Sequence, residues 1–332
     1  MADVRPFIRE ELLPPERPPR RHLISVADLT RDDVARLLHV ARTFARTLER
    51  EVKKLPTLKG RTVVNLFFES STRTSSSFEL AAKRLSADVM SIKAAGSAVD
   101  KGESLKDTAL TLAAYDPDVI VIRHAEIGAP QLVARYTGAH VVNAGDGKHQ
   151  HPTQALLDLY TIDEEFGGVE GLHVAIVGDV LHSRVARSNI QAFLLMGAKV
   201  TLVGPPPLIP RGIEAMGCEV SYDIGAIRDA DVVYVLRMQR ERMLEGENYV
   251  PSLREYAERW GVTRERLRPG QKVMHPGPMN RGVEIDGEVA DAAESLIERQ
   301  VRSGLVVRMA VLYDLLTHGP VEVKVAELEE VA

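Results

Sequence analysis

The feature that most constrains the fold is an alternation, along almost the whole chain, between short apolar runs and segments with helical periodicity. Such alternation indicates βαβ units, in which parallel strands form a sheet that helices cover. It occurs in two series, separated by one long helical pattern over 152–166. The sequence therefore predicts an α/β fold of two domains, each a mostly parallel sheet flanked by helices, joined by interdomain helices.

The individual elements can be read from each series. The first predicts strands at 62–68, 88–92, 119–122 and 140–143, with helices near 74–85, 105–115 and 130–136. The second predicts strands at 174–177, 199–203, 219–221, 232–236 and 272–274, with helices at 183–196, 251–260 and from 290 to about 316. The closing helix is long enough to cross back to the first domain. Ligands of such folds bind at the carboxyl ends of strands, here between the domains.

Composition excludes several classes of protein. The 332 residues suffice for about two domains, and the formal net charge of −5 gives no overall attraction to nucleic acid or an anionic membrane. Cys218 is the only cysteine, so an intrachain disulfide and a cysteine-rich zinc site are excluded. The sequence has no apolar run of transmembrane length and no apolar signal core, so we expect a cytoplasmic protein. A Pro/Arg-rich stretch before His22 predicts an extended arm.

Residues 69–77 form a hydroxyl-rich turn, Glu-Ser-Ser-Thr-Arg-Thr-Ser-Ser-Ser, between a predicted strand and a predicted helix. A helix start offers unpaired N–H groups and a partial positive charge. Ser71, Thr72, Arg73 and Thr74 are therefore candidates to bind a phosphate or carboxylate. A helix cap alone requires one hydroxyl, which does not account for seven around an arginine.

Other polar residues stand at predicted strand ends, at a helix start or in a loop of small residues predicted to be mobile. They are Arg123, Arg184, Arg237, Gln239, Ser97 and Lys101. Arg237 and Gln239 share one face because side chains alternate after a strand. Each of the arginine and lysine side chains could equally be an ordinary solvated charge.

Two further segments carry polar groups near predicted helix or strand ends. His149-Gln150-His151-Pro152-Thr153-Gln154 opens the central helix, where a histidine and a glutamine suit hydrogen bonding to a carbonyl or amide. A metal site is the alternative, but no second ligand cluster supports it. The turn His275-Pro276-Gly277-Pro278 can present free carbonyls, or be structural only. The turn after Val177 has one glycine, so a dinucleotide site is disfavoured.

In this order, these segments resemble the catalytic chains of the aspartate carbamoyltransferase family from about His22 to Leu316. The motifs that carry the resemblance are 68–70, 71–74, Gly145-Asp146-Gly147, 151–154 and 275–278. The resemblance implies transfer of a carbamoyl group from carbamoyl phosphate to the amino group of L-aspartate, an early step of pyrimidine synthesis. It implies no metal and no organic cofactor.

The resemblance also implies a role for each residue. Phosphate would be bound by Ser71, Thr72, Arg73, Thr74 and Arg123. The carbonyl oxygen would face His151, Thr74 and Arg123, and the amide nitrogen would be held by Gln154 and the turn Pro276, Gly277 and Pro278. Aspartate would be bound by Arg184, Arg237, Gln239 and Lys101. Glu69 would orient an arginine. The implied divisions are an arm over 1–21, a carbamoyl phosphate domain over 22–151 completed by a helix at about 304–318, and an aspartate domain over 152–303.

Assembly and substrate are the remaining expectations. Ser97 and Lys101 match a loop that reaches the neighbouring subunit's site in the family, which implies at least a trimer. Regulatory chains or a dihydroorotase as additional partners stay open. Ornithine carbamoyltransferase shares the phosphate half, but that family has a cysteine where this chain has Pro276, and Arg237 with Gln239 favours a dicarboxylic substrate. A non-catalytic protein that binds phosphorylated metabolites is the other alternative.

Overall fold

The computed structural model describes residues 22–93, 102–239 and 249–317, and it contains two parallel sheets in succession along the chain. All strand pairs within both sheets are parallel. The predicted fold class is confirmed. Within the described ranges, no helix combines the length and the apolar character needed to cross a membrane.

The first sheet has four strands in the spatial order β2-β1-β3-β4. Its strands are β1 (Thr62–Phe67), β2 (Asp88–Lys93), β3 (Val119–His124) and β4 (His140–Asp146). The helices of this part are α1 (Arg31–Thr47), α2 (Thr72–Arg84), α3 (Leu105–Ala113) and α4 (Ala129–Tyr136). The β-branched residues of β3 and β4 are buried, as expected for central strands of a sheet that is covered on both faces.

The second sheet has five strands in the order β7-β6-β5-β8-β9. Its strands are β5 (His173–Val177), β6 (Lys199–Val203), β7 (Glu219–Ser221), β8 (Val232–Val235) and β9 (Lys272–Met274). Its helices are α6 (Arg184–Leu195), α7 (Leu253–Trp260) and the short α8 (Gly287–Ala290).

Two long helices connect the sheets. α5 (Pro152–Phe166) lies between them in sequence, and every residue from Pro152 to Ile162 is buried. α9 (Ile297–Thr317) packs against α1, α2 and α5, so the closing helix crosses back to the first sheet. A helix that is buried on all sides needs apolar residues around its circumference, which explains why the pattern of α5 up to Ile162 lacks a clear polar face.

The closing helix differs from its prediction. One helix from 290 to about 316 was expected, but the structure has α8, a break, and then α9. Backbone groups in the break pair with β9: Val273 donates its N–H to Glu294 O at 3.1 Å, and Leu296 donates to Val273 O at 2.8 Å. Since these groups bond to the edge strand of the sheet, they cannot form helical hydrogen bonds, and α9 begins only at Ile297.

Each sheet has one position from which successive crossover connections lead to opposite sides. In the first sheet the chain leaves β1 for β2 on one side, then crosses to β3 on the other. In the second sheet the same reversal separates β5 from β8. Ligand sites of open α/β sheets form at the carboxyl ends of the strands that flank such positions. Residues 69–77, Arg184 and Arg237 follow β1, β5 and β8, and Arg123 lies near the end of β3, whereas 149–154 and 275–278 follow the neighbouring strands β4 and β9.

Candidate active site

The hydroxyl-rich turn follows β1 and opens α2. Ser71 is the N-cap residue, but its side chain makes no capping hydrogen bond. Thr72 and Arg73 are exposed, whereas Thr74 is buried in the first turn of the helix. Because the Ser71 hydroxyl is not used as a cap, and the start of α2 carries a partial positive charge, the turn keeps the capacity to bind an anion.

Arg123 lies beside this turn because β1 and β3 are neighbours, with Phe67 in register with Arg123. The Arg123 Nη1 donates to Ser71 Oγ at 3.2 Å, and its Nε donates to Glu69 Oε2 at 3.1 Å. The structure therefore brings together residues that stand some fifty positions apart in sequence, at the end of two adjacent strands.

Arg184 extends the cluster to the second sheet. Its Nη2 donates to the same Glu69 Oε2 at 2.7 Å, and its Nη1 donates to Gly147 O at 3.2 Å. Only 3% of Arg184 is exposed. Gly145 has φ +120°, and a Cβ there would lie 2.8 Å from Arg184 Nε, so a glycine is needed for the guanidinium to occupy this position.

The late turn, residues 275–278 after β9, meets the hydroxyl-rich turn after β1. The Gly277–Pro278 peptide bond is cis, and Gly277 has φ +60°. A Cβ on Gly277 would lie 2.7 Å from Arg73 Cζ, so the guanidinium of Arg73 lies directly over this backbone. Residues of the two sheets are thus in contact at a second point besides Glu69.

His275 anchors this turn from within the core. Its Nδ1 accepts from Gly277 N at 2.8 Å, and its Nε2 lies 3.3 Å from Glu284 Oε1. Burial lowers the pKa of His275; the Glu284 carboxylate opposes this effect, and the nearby cations Arg73 and Arg237 add to it. A neutral imidazole that accepts at Nδ1 and donates at Nε2 matches both contacts.

His151 and Gln154 occupy the start of α5. His151 is its N-cap residue, is 4% exposed, and donates its backbone N–H to Ser188 Oγ of α6 at 2.8 Å. Gln154 lies in the first turn, and its Nε2 donates to Asp158 Oδ1 at 3.1 Å. The start of α5 is therefore held by polar side chains of α5 and α6.

Arg237 and Gln239 follow β8 and are both half-buried, while Leu236 before them and Met238 between them are buried, as the predicted alternation requires. The backbone N–H of Gln239 donates to Asp179 Oδ2 at 3.2 Å. Asp179 follows β5, and its Oδ1 lies 2.9 Å from His182 Nδ1. The pairing of β5 with β8 thus positions the segment that carries Arg237.

Sequence reasoning missed four supporting residues, namely Asp158, Asp179, Ser188 and Glu284. All four are buried. The signal that could have identified Asp158 is an acid inside the apolar run Ala155-Leu156-Leu157-Asp158-Leu159. Burial raises the pKa of Asp158 to about 6, although hydrogen bonds from its neighbours oppose the rise.

Some predicted residues cannot be located. Ser97, Lys101 and the arm over 1–21 lie outside the described residues. Within the described part of the chain, no group of three or more His, Cys, Asp or Glu side chains is arranged to hold a metal ion. His149, the partner in the alternative metal reading, has its Nδ1 3.0 Å from Asp146 Oδ2.

The sequence matches two family models that together span most of the chain. The model described as aspartate/ornithine carbamoyltransferase, carbamoyl-P binding domain, matches residues 21–164. The model described as aspartate/ornithine carbamoyltransferase, Asp/Orn binding domain, matches residues 170–315.

Individual relatives are similar over nearly their whole lengths. The chain is 57% identical over 303 residues to the aspartate carbamoyltransferase catalytic subunit of Acidothermus cellulolyticus, covering 90% of this chain and 93% of the relative. It is 59% identical to that of Salinispora arenicola, covering 89% and 98%.

Solved structures are also similar. Aspartate transcarbamoylase of Trypanosoma cruzi in complex with carbamoyl phosphate superposes with a TM-score of 0.81 at 32% identity, covering 90% of this chain and 97% of that one. The catalytic subunit of M. jannaschii aspartate transcarbamoylase gives 0.79 at 35% identity, covering 91% and 99%.

Proposed function

The chain belongs to the aspartate/ornithine carbamoyltransferase family, and we propose that it is an aspartate carbamoyltransferase. It transfers the carbamoyl group of carbamoyl phosphate to the amino group of L-aspartate. The products are N-carbamoyl-L-aspartate and phosphate. The catalytic subunits it resembles bear this name.

The observation that carries the proposal is the arginine cluster shared by the two sheets. Arg123 of the first sheet and Arg184 of the second donate to one oxygen of Glu69, at 3.1 and 2.7 Å. Arg73 lies against Gly277 of the second sheet. Both substrates are anions that repel each other, so a site that holds them together needs cations from both sides.

The phosphate group is assigned to the start of α2. Ser71, Thr72, Arg73 and Thr74 offer hydroxyls, backbone N–H groups and a guanidinium, and Arg123 adds a second cation. Each charge-assisted hydrogen bond contributes roughly 1.5–3 kcal/mol. Arg73 is assigned the further task of stabilising phosphate as it leaves.

The carbonyl carbon is attacked by the neutral amine of aspartate, which gives a tetrahedral oxyanion. His151, Thr74 and Arg123 are assigned to that oxygen; donors of this kind typically lower the barrier by about 3–4 kcal/mol each. The C–O bond to phosphate then breaks, and the proton lost from the amine balances the charge on the departing phosphate. Binding both substrates in line can lower the barrier by roughly 7–11 kcal/mol more.

The amide nitrogen of the carbamoyl group needs hydrogen-bond acceptors. Gln154, through its Oε1, and the carbonyls of the Pro276, Gly277 and Pro278 turn are assigned to it. Support comes from the Gln154 Nε2 contact with Asp158, which directs Oε1 elsewhere, and from the His275 contact that orders the turn.

Arg184, Arg237 and Gln239 are assigned to the carboxylates of aspartate, with Lys101 and Ser97 contributed by a neighbouring subunit of a homotrimer. Two cations favour a dicarboxylic acceptor over ornithine, whose side chain is cationic.

We further propose that the enzyme acts in the cytoplasm in pyrimidine synthesis. The domain division at 151/152, with residues 304–318 completing the first domain, belongs to the same proposal.

The test supplies carbamoyl phosphate with either L-aspartate or L-ornithine and identifies the product by mass. N-carbamoyl-L-aspartate is expected with the first substrate and no citrulline with the second. Citrulline alone would overturn the choice of substrate, and phosphate binding without turnover would favour a binding protein. The shared site is tested separately. Mixing inactive Lys101→Ala and His151→Ala chains should restore activity on reassembly, whereas reassembly of either variant alone should not.

A further inference from the structure

Asp158 lies on α5 with 0% of its surface exposed, and its carboxylate accepts four hydrogen bonds. Oδ1 accepts from Gln154 Nε2 at 3.1 Å and from Gln300 Nε2 at 2.7 Å. Oδ2 accepts from Asn189 Nδ2 at 3.0 Å and from Tyr234 OH at 2.7 Å. A carboxylate has about four acceptor positions and no donor, so these contacts saturate it.

The first consequence concerns the orientation of Gln154. An amide side chain presents either its nitrogen or its oxygen to a given neighbour. Because Asp158 accepts only, Gln154 must direct Nε2 toward it. The Oε1 atom is then directed away from Asp158 and is available as an acceptor near the start of α5.

The second consequence concerns the late turn. Gln300 of α9 donates to Asp158, and its Oε1 accepts the backbone N–H of His275 at 2.9 Å. His275 in turn accepts from Gly277 N at 2.8 Å. Asp158 therefore controls, through one intermediate side chain, the backbone of the turn whose carbonyls are the other proposed acceptors.

We propose that Asp158 is a positioning residue that makes the site select carbamoyl phosphate over acyl phosphates without an amide nitrogen. This inference rests on the proposed function. One carboxylate orients both groups that accept hydrogen bonds from the amide. A methyl group in place of the amide leaves those buried acceptors unpaired, and sites built on hydrogen bonds discriminate strongly against such analogues.

The principal variant is Asp158→Leu, which is similar in size but has no acceptor oxygen. Binding is measured for carbamoyl phosphate, acetyl phosphate and inorganic phosphate. Gln154 Nε2 and Gln300 Nε2 then lose the carboxylate to which they donate, so Gln154 and the late turn change orientation. We expect carbamoyl phosphate to bind about 10- to 100-fold more weakly, as for an unpaired buried polar group. Acetyl phosphate and inorganic phosphate should bind as they do to the wild type.

Tyr234→Phe is the matched control. It removes a donor from Oδ2 of the same carboxylate but leaves both contacts of Oδ1 in place. Its thermal stability should fall while its preference for carbamoyl over acetyl phosphate stays at the wild-type ratio. A role limited to stabilising the core predicts the same binding pattern for this variant and for Asp158→Leu.

Gln300→Met provides a second route if Asp158→Leu does not fold. It removes both contacts of Gln300, to Asp158 and to His275, and leaves the Gln154 contact in place, so carbamoyl phosphate affinity should fall with no change for inorganic phosphate. Equal losses for all three ligands, or an unchanged ratio in both variants, would overturn the role of Asp158. A wild-type chain that forms N-carbamoyl-L-aspartate but binds carbamoyl and acetyl phosphate alike would overturn this inference alone. A wild type that transfers no carbamoyl group to aspartate would overturn the proposed function, so the two failures are distinguishable.

Discussion

The two halves of the candidate site are built in different ways. The proposed phosphate half consists largely of residues 71–74, consecutive in sequence at the start of one helix, with Arg73 exposed. The proposed aspartate half consists of single residues from separate segments that follow β5 and β8, each near an acid: Arg184 at the half-buried Glu69 and Gln239 at the buried Asp179. A helix start supplies its own N–H groups and dipole, whereas isolated side chains need partners to hold them.

This difference predicts different kinetic roles. Arg184 is 3% exposed and donates to two protein acceptors, so its guanidinium is fixed in position. Arg73 is exposed and lies over Gly277 at the boundary between the sheets. We expect the first kind of residue to control binding and the second to control turnover.

The largest effect is expected for Arg73→Ala. Removing the group proposed to stabilise departing phosphate should lower kcat by about 10²- to 10³-fold, with little change in KM for aspartate. Steady-state kinetics with both substrates varied measure this. Lys83→Ala, which removes a cation paired with Glu79 near the other end of α2, is the control and should leave kcat unchanged. A change in KM alone would contradict the assignment.

The buried acids should be visible in the pH dependence of stability. Burial raises the pKa of Asp158 to about 6. The folded state then binds the proton more tightly than the unfolded state, so this group's contribution to stability falls as pH rises from about 4 to 6. The free energy of unfolding of the wild type, measured relative to Asp158→Asn, should decrease across that window by about 3 kcal/mol. A constant difference between the two proteins in urea titrations would contradict this account.

A smaller effect is expected for Arg237→Ala, which tests the aspartate half. Loss of one charge-assisted contact should raise KM for aspartate by about 10- to 100-fold, equivalent to roughly 1.5–3 kcal/mol. The dissociation constant of carbamoyl phosphate, measured without aspartate, should not change. Arg259→Ala, an exposed cation of α7 paired with Glu255, is the control. If Arg237→Ala lowers kcat and leaves KM unchanged, the division into halves is wrong.

The smallest effect is expected for Gly277→Ala, which displaces Arg73 without removing it. The new Cβ would lie 2.7 Å from Arg73 Cζ, so the guanidinium must shift. We expect kcat to fall by about 10-fold, because small misplacements of catalytic groups are costly. Gly282→Ala separates backbone strain from this contact, since its φ is +78° and no atom lies within 4 Å of the added Cβ. Equal losses in both variants would attribute the effect to strain.

The same contrast explains what could be predicted from sequence. Residues 71–74 were identifiable because a helix start and its hydroxyls are local features. The strand ends were located to within three residues because most of the apolar runs are continuous. The break before α9 was not predictable, since Leu296 N bonds to Val273 O of β9, and pairing between distant segments leaves no local pattern.

The supporting acids were missed for a related reason. Asp158, Asp179 and Glu284 are single residues whose partners lie on other elements, such as Tyr234 of β8 for Asp158. Apart from the apolar run around Asp158, nothing in the local sequence distinguishes these buried carboxylates from solvated ones. Their roles follow only from the fold, which brings the ends of β5, β8 and β9 close to the start of α5.

The most direct test of the two-half site is the binding of N-(phosphonacetyl)-L-aspartate, the ligand in another structure of the Trypanosoma cruzi enzyme. This molecule joins an anion for each half through one amide. If both halves bind it at once, its affinity should exceed that of phosphonoacetate or succinate alone by at least about 10²- to 10⁴-fold, as for linked ligands. Arg73→Ala and Arg237→Ala should each reduce that gain. An affinity no greater than that of the tighter fragment would contradict the account.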